Sequence, residues 1–490
     1  TVEMGADHPC NPSAGAGAGA GRRRKKKRMI RNSAFSAHYG PEWQAVVHGL
    51  VIFGLILGAA LFTIVHLVQG QIRVPRLFHR YKLIYKIPSS LGHVGDKSVW
   101  YQLLRQEYDA LLPEDDERSL QATELLKHRE YTAIPIPPSG TDEEGREYET
   151  YDVYNCPDQP PKGYPYAWNL LQLLNHWPPD DYRTPQPRIH IGLCRFDYSR
   201  DFQKAMTYRT KELPFVMTGD PQVARTVERW NYEGYMQKLM NDVPHRCEYS
   251  ENNHFMYWIR PNEKPRPPPK EKPRRRKFMT HIEKPVNWTQ PTEMLRMRYA
   301  DWIEKANVTD DKLGPDKPHW YYRLIGCGDM GRCDKGSSEY LFDELTFFQP
   351  KPNQLYLVEH TKQKGIHCRF GMKGVIAENH FDGSRNSIVV LGGERRYILS
   401  HPDQCPNLAL YPKEHPSGRH SAIDWSNPDV ESFPQFAKAR SNEVVLQAGD
   451  VLYLPTNWFH YIISLEVNYQ CNTRSGINPE YQAPINKCGF

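Results

Sequence analysis

Residues 448–465 read AGDVLYLPTNWFHYIISL, and residues 379–386 read NHFDGSRN. In the first stretch a Gly449-Asp450 turn leads into a strand, Pro455-Thr456-Asn457 turns the chain again, and His460 opens the next strand. In the second, His380 and Asp382 are two residues apart, a spacing that puts both side chains on one face of a strand. From Leu341 onward these stretches sit among short β-type runs: QLYLVEH, NSIVVLGG, ERRYILS, EVVLQ, DVLYLP and HYIISLEVN. Gly, Pro, Asn and Asp separate them. Short strands at such close spacing predict an antiparallel sandwich or barrel, not a βαβ fold.

The donor pattern is H-x-D, then 77 residues, then H. Two histidines and one carboxylate on one face of a metal are the arrangement of non-haem Fe(II) oxygenases. Three protein ligands leave three adjacent coordination positions, two for 2-oxoglutarate and one for O2. A lone H-x-D arises often by chance. A distal His on a Gly-Asp-x-x-x-x-Pro hairpin makes the signal far more specific, and the competing reading is a pair of ordinary sandwich histidines.

Residues 188–476 resemble the JmjC/cupin-8 family, with the asparaginyl hydroxylases as its most similar branch. HPSGRHSAIDWSNPDVESFPQF, followed by GDVLYLPTNWFHYI, looks like that family between its second and third metal ligands. The resemblance implies a double-stranded β-helix (cupin/jelly-roll), mainly β with flanking helices. It implies His380, Asp382 and His460 as iron ligands. Arg395, in GGERRYIL, falls where the family places the basic residue that pairs with the distal carboxylate of 2-oxoglutarate. The asparaginyl hydroxylase has Lys there; Arg suits a bidentate contact but has a different geometry. Asn386 and Asn472 match polar positions lining the co-substrate pocket. Ala377 stands where that branch has a Thr, so one hydrogen bond is absent or supplied from elsewhere.

The implied activity is an Fe(II)- and 2-oxoglutarate-dependent dioxygenase, with hydroxylation of a protein side chain as the leading reaction. The cofactor supplies the hard chemistry and the protein positions the substrate. A JmjC lysine demethylase and a non-catalytic cupin used for binding or scaffolding are the alternatives. A cupin isomerase would have no use for a buried guanidinium at 395.

Residues 45–68 read AVVHGLVIFGLILGAALFTIVHLV, without a charge from Gly49 to Val65. The run is close to the ~20 residues a helix needs to cross a bilayer. Eight basic residues precede it (22–28 and Arg31) and five follow it (Arg73, Arg76, Arg80, Lys82, Lys86). The positive-inside rule therefore predicts a signal-anchor: a single-pass type II protein, its N-terminus cytosolic and its large C-terminal part in the ER/Golgi lumen. RRRKKKR as a nuclear localisation signal is the rival reading. Two sequons, at Asn287 and Asn307, and nine cysteines after the span agree with a lumenal compartment. Nine is odd, so at least one thiol stays unpaired. Cys327 and Cys333 are the expected disulfide, with zinc as the alternative.

The 490 residues, 41 of them proline, exceed one ordinary domain and imply many loops. The net charge of +6 is modest and its basic residues cluster in two stretches, so no nucleic-acid footprint is read from it. The expected organisation is a disordered basic tail (1–44), the span (45–68), a stalk and helical region (69–187), the oxygenase domain (188–476) with a Pro/basic insertion (261–278), and a C-terminal tail (477–490). Helices are expected from Trp100, from Leu120, from Ala167 and from Val223. IHIGLCRFD, from Ile189, is expected as a strand.

Overall fold

The computed structural model describes residues 104–106, 108, 129–182, 188–261, 285, 288–309, 312–326, 338 and 340–490. The expected membrane span, the basic tail, the helix from Leu120, most of the helix from Trp100, nearly all of the Pro/basic insertion and the Cys327–Cys333 pair lie outside these residues. Among the described residues no helix is long and apolar enough to cross a membrane.

Two sheets carry the domain. The larger runs β10 (Glu293–Met297), β8 (His245–Ser250), β11 (His319–Gly326), β12 (Gln363–Gly371), β19 (Asn468–Ser475), β14 (Asn386–Gly392), β17 (Val451–Leu454), β7 (Phe215–Thr218) and β6 (Arg195–Asp197). The smaller runs β4 (Trp168–Asn169), β16 (Arg440–Gln447), β15 (Glu394–Ser400), β18 (Phe459–Ser464), β13 (Ile376–Phe381) and β9 (His254–Phe255). From β12 to β19 the chain passes repeatedly between the sheets, and β12, β14, β17 and β19 face β13, β15, β16 and β18. That exchange is the double-stranded β-helix.

The crossings have sequence causes. Between β14 and β15 the chain changes sheet at Gly392-Gly393. Gly393 has φ 65°, and a Cβ there would meet the Val467 carbonyl oxygen at 2.2 Å, so a side chain is excluded. Gly449, at φ 100°, makes the turn into β17 that AGD announced.

Alternation divides the core into layers. Ile388, Val390, Leu452 and Leu454 from the large sheet meet Leu399, Val444, Leu446 and Ile462 from the small one. The outer face of the large sheet is covered by the helices Pro221–Asn231 and Tyr299–Ala306, whose Trp230 and Trp302 pack edge-on or tilted against Phe370. The outer face of the small sheet lies under the helix Leu170–His176 with Trp168, Trp177, Trp425 and Tyr461. Burying each of these large side chains contributes about 1.5–3 kcal/mol.

Several expectations are corrected. QLYLVEH forms no strand; its Leu355, Tyr356 and Leu357 are instead buried anchors in a turn region, and the Tyr356 hydroxyl donates to Asp220 at 2.8 Å. The helix from Val223 starts at Pro221 and breaks after Asn231, resuming at Tyr235 beyond Gly234 in the left-handed region. IHIGLCRFD splits into β5 (Arg188–Ile189) and β6. Residue 187 is not a packing boundary, because β4 pairs with β16 and the helix Leu170–His176 belongs to the same core. Residues 477–490 are more than a tail: they contain the helix Gln482–Lys487, with Ile485 buried and Cys488 bonded to Cys405.

Candidate metal centre

His380 lies in β13 and His460 in β18, and the two are direct partners across this antiparallel pair. Their ring centroids are 4.2 Å apart. Asp382 follows the last residue of β13. One ligand atom from each of His380, Asp382 and His460 can be chosen so that all lie within 4.8 Å of one another. A β-bulge between Ala377 and His380 shifts the register with β18. Three residues apart, these two would face opposite ways on a regular strand; with the bulge both line the same cavity.

Backbone carbonyls set the imidazoles. His380 Nδ1 donates to the Glu378 carbonyl at 2.7 Å, and His460 Nδ1 donates to the Trp458 carbonyl at 3.1 Å. A carbonyl only accepts, so each Nε2 keeps its lone pair for a metal. Burial, with His460 and His420 alongside, holds His380 well below the ordinary imidazole range. Burial also lowers His460. Both are therefore neutral, as metal ligation requires.

Burial alone would raise the pKa of Asp382. Arg474, His380, His460 and Arg419 outweigh it and hold the carboxyl well below the usual carboxylate range. Arg474 Nη1 donates to Oδ1 at 2.9 Å, and Arg419 stands 3.8 Å from the same oxygen. Asn386 Nδ2 donates to Oδ2 at 3.3 Å, and Asn472 Nδ2 donates to Asn386 Oδ1 at 2.7 Å. The two asparagines thus form a relay from β19 through β14 to the carboxylate. A carboxylate ligand tied on both oxygens is oriented before any metal arrives.

These groups open onto a cavity of about 320 Å³ between the sheets. Arg395 does not line it. Its guanidinium is fully buried behind the wall and donates to Asn468, to Gln470 Oε1 at 2.6 Å, to the Tyr321 hydroxyl at 3.1 Å and to the Arg369 carbonyl at 3.2 Å. Arginine only donates, so the Tyr321 oxygen accepts and its own proton is directed elsewhere. Tyr321 does line the cavity, and so does Tyr397, whose buried hydroxyl has no acceptor for its proton. Tyr397 stands in one transverse row with Ile462 and Ala377. The residue that lacks a hydroxyl and the residue with a spare one are thus two strands apart. An orphaned hydroxyl, a donor backed by a buried guanidinium and a neutral-imidazole donor set fit a divalent metal with a carboxylate-bearing co-substrate.

Sequence reading passed over other neighbours of the centre. His420 stacks on His380 at 5.0 Å, and burial pushes its pKa down to about 4. Arg419, one residue earlier, lies in HPSGRHSAIDW, a stretch singled out for its resemblance without a role for this residue. Arg474 follows Asn472 by two, which was the available signal, since both share a face of β19. Tyr321 and Arg369 belong to strands that the sequence did not declare.

Comparison with known families matches residues 200–475 to a cupin-like domain. A tRNA wybutosine-synthesizing protein 5 of Gallus gallus is 37% identical over 105 residues, 21% of this chain and 31% of that protein. HSPB1-associated protein 1 of Rattus norvegicus is 38% identical over 100 residues, 20% of each. Lysine-specific demethylase JMJ31 of Arabidopsis thaliana is 29% identical over 98 residues, 20% of this chain and 18% of that protein. The chain thus spans about a third or less of the length of these relatives. The family match covers more than half of the chain and its whole double-stranded β-helix, so the chain belongs to the cupin-like (JmjC-like) domain family.

Proposed function

We propose that the protein is a membrane-anchored Fe(II)- and 2-oxoglutarate-dependent hydroxylase acting on protein side chains. The observation that carries the reading is the triad itself: two neutral imidazoles with fixed tautomers and one pre-oriented carboxylate, facing a cavity. His380, Asp382 and His460 would hold Fe(II). The Tyr321 and Tyr397 hydroxyls, with Arg395 behind Tyr321, would receive the distal carboxylate of 2-oxoglutarate. Asn386 and Asn472 would keep Asp382 turned to the metal and flank the co-substrate. When bound, iron and 2-oxoglutarate supply the oxidising power for attack on an unactivated C–H bond by O2 chemistry. The protein's share is to hold these groups, shield them between two sheets and present the substrate carbon.

A lumenal location is supported by Cys156–Cys194, Cys368–Cys471 and Cys405–Cys488 among the described residues. Cys247 is buried and free. Asn307 of the second sequon is exposed. The demethylase alternative is weaker, because a methylated lysine would bring a cation toward a cavity already lined by five arginines.

The test is turnover. The purified full chain, supplied anaerobically with Fe(II) and then with O2, should convert 2-oxoglutarate to succinate, and Asp382→Ala should not. Absence of both metal and 2-oxoglutarate binding in the unaltered protein would refute the reading. Protease protection in sealed vesicles checks topology; cytosolic-side digestion of the C-terminal part would overturn the lumenal placement.

A further inference from the structure

The large sheet carries a row of like charges. Arg246 of β8 pairs in register with Arg323 of β11, and Arg323 pairs in register with Arg369 of β12. Adjacent strands are about 4.8 Å apart, so three guanidiniums stand side by side on one face. All three line the cavity. Like charges directly opposite each other destabilise a sheet, and a row of three is kept against that cost.

One carboxylate serves the row. Glu248 accepts from Arg246 at 2.8 Å and from Arg323. Arg369 forms no ion pair among the described residues; its guanidinium donates to the carbonyl of Cys368 at 3.1 Å. Burial, and then Arg323 beside it, push its pKa down to about 9. Elsewhere in the cavity the cations have a carboxylate to face, since Arg474 and Arg419 both attend Asp382. A divalent metal and dianionic 2-oxoglutarate would offset each other, leaving the row with one carboxylate for three guanidiniums.

We propose that the Arg246–Arg323–Arg369 row is the substrate-recognition wall, and that it takes the acidic side chain of a polypeptide substrate. This rests on the oxygenase reading above. The basic stretch 22–28 alone carries seven charges, one more than the net +6, so the rest of the chain is close to neutral. A confined positive wall in an otherwise near-neutral chain suits a single carboxylate better than an extended polyanion. Tyr257 and Ile325, exposed among the cavity-lining residues, supply apolar surface for the flanking residues of a peptide. Arg369 is the member with unspent charge and the one a substrate carboxylate would pair with.

The experiment uses the full chain with Mn(II) and 2-oxoglutarate. Fluorescein-labelled degenerate nonapeptides with a fixed central Asp or Glu are compared by anisotropy with central Asn or Gln, central Lys, and a short single-stranded RNA. The acidic set should bind about tenfold tighter than its amide counterpart, the gain expected of a charged hydrogen bond. Arg369→Gln should erase that preference, leave 2-oxoglutarate affinity within about twofold, and raise Tm by about 2–4 °C by relieving the row. Arg369→Lys should retain the preference. Charge-blind peptide binding, tighter RNA binding, or 2-oxoglutarate affinity lost in Arg369→Gln along with peptide affinity would each overturn the proposal. Failure of the unaltered protein to bind 2-oxoglutarate would instead sink the oxygenase reading, and this inference with it.

Discussion

The two walls of the cavity treat charge in opposite ways. On the metal side, Asp382 receives Arg474, Arg419 and Asn386, and each imidazole is tied to a carbonyl. On the arginine side, two of three cations share Glu248 and the third has no carboxylate partner among the described residues. The first wall is set by the protein alone. The second is completed by something that arrives. A charge satisfied within the fold can contribute to stability, whereas a charge left unsatisfied against its own neighbours costs stability and points to a ligand.

The severest way to break this comparison is Asp382→Ala. It removes one of three ligands and leaves two cations facing an apolar methyl. Mn(II) at concentrations that saturate the unaltered protein should remain free, as read by the EPR signal of the hydrated ion. Stoichiometric binding by the variant would remove Asp382 from the metal site.

The next largest effect tests the paired side where no ligand is involved. Arg396 neighbours Arg395 on β15 but faces outward, where Glu443 Oε2 accepts from its Nε at 2.6 Å and both groups are fully buried. Glu443 also accepts the His190 backbone N–H at 2.8 Å. Arg396→Met strands that carboxylate and should cost about 3–5 kcal/mol in urea unfolding. A loss under about 1 kcal/mol, within the range for exposed pairs, would mean that this pair is not structural. Set beside the rise in Tm expected for Arg369→Gln, it gives two arginines, one fully buried and one half-buried, with opposite signs of effect.

The asparagine relay gives a smaller effect on the metal wall. Asn386→Ala frees Oδ2 of Asp382 and ends the chain from Asn472. Mn(II) affinity should fall about 10-fold or somewhat more, within the range for groups that orient a ligand. An unchanged affinity would leave the two asparagines with a role toward the co-substrate alone.

These walls also differ in how far they could be read from sequence. The metal wall is written in short-range spacing: H-x-D at the end of one strand and a histidine after a Gly-Asp hairpin. Strands β14, β15, β17 and β18 were legible because buried apolar runs between turns need no tertiary information. The arginine wall sits on β8 (HRCEYS), β11 (HWYYRLIG) and β12 (QKGIHCRFG). Their inward positions carry Arg, Glu and His where a core strand would carry Val or Ile, so the alternation that marks a strand is inverted. Local apolarity also misled at QLYLVEH, where buried Leu and Tyr anchor a turn without a ladder partner. Arg395 was singled out from its place in GGERRYIL; that its guanidinium lies behind Tyr321 depends on Asn468 and Gln470, more than 70 residues away.

The smallest effect falls in the transverse row of Tyr397, Ile462 and Ala377 on the cavity lining. Tyr397 has a buried hydroxyl with no acceptor for its proton, since the neighbouring Arg395 guanidinium can only donate, and burial raises its pKa, so it stays protonated and able to donate. Leaving a buried donor unmade costs about 1–3 kcal/mol, so Tyr397→Phe should raise the Tm of the ligand-free protein by a few degrees. The same change removes a donor to the 2-oxoglutarate carboxylate, and its affinity should fall about 10-fold, a hydrogen bond to a charged group. Opposite signs in the two measurements identify a hydroxyl kept for a ligand. Ala377 lies in the same transverse row, so Ala377→Thr placed on Tyr397→Phe returns a hydroxyl to that row and should recover part of the lost affinity. Equal 2-oxoglutarate affinity in Tyr397→Phe and the unaltered protein, measured by titration with Mn(II) bound, would move the co-substrate carboxylate away from Tyr397 and toward the arginine row.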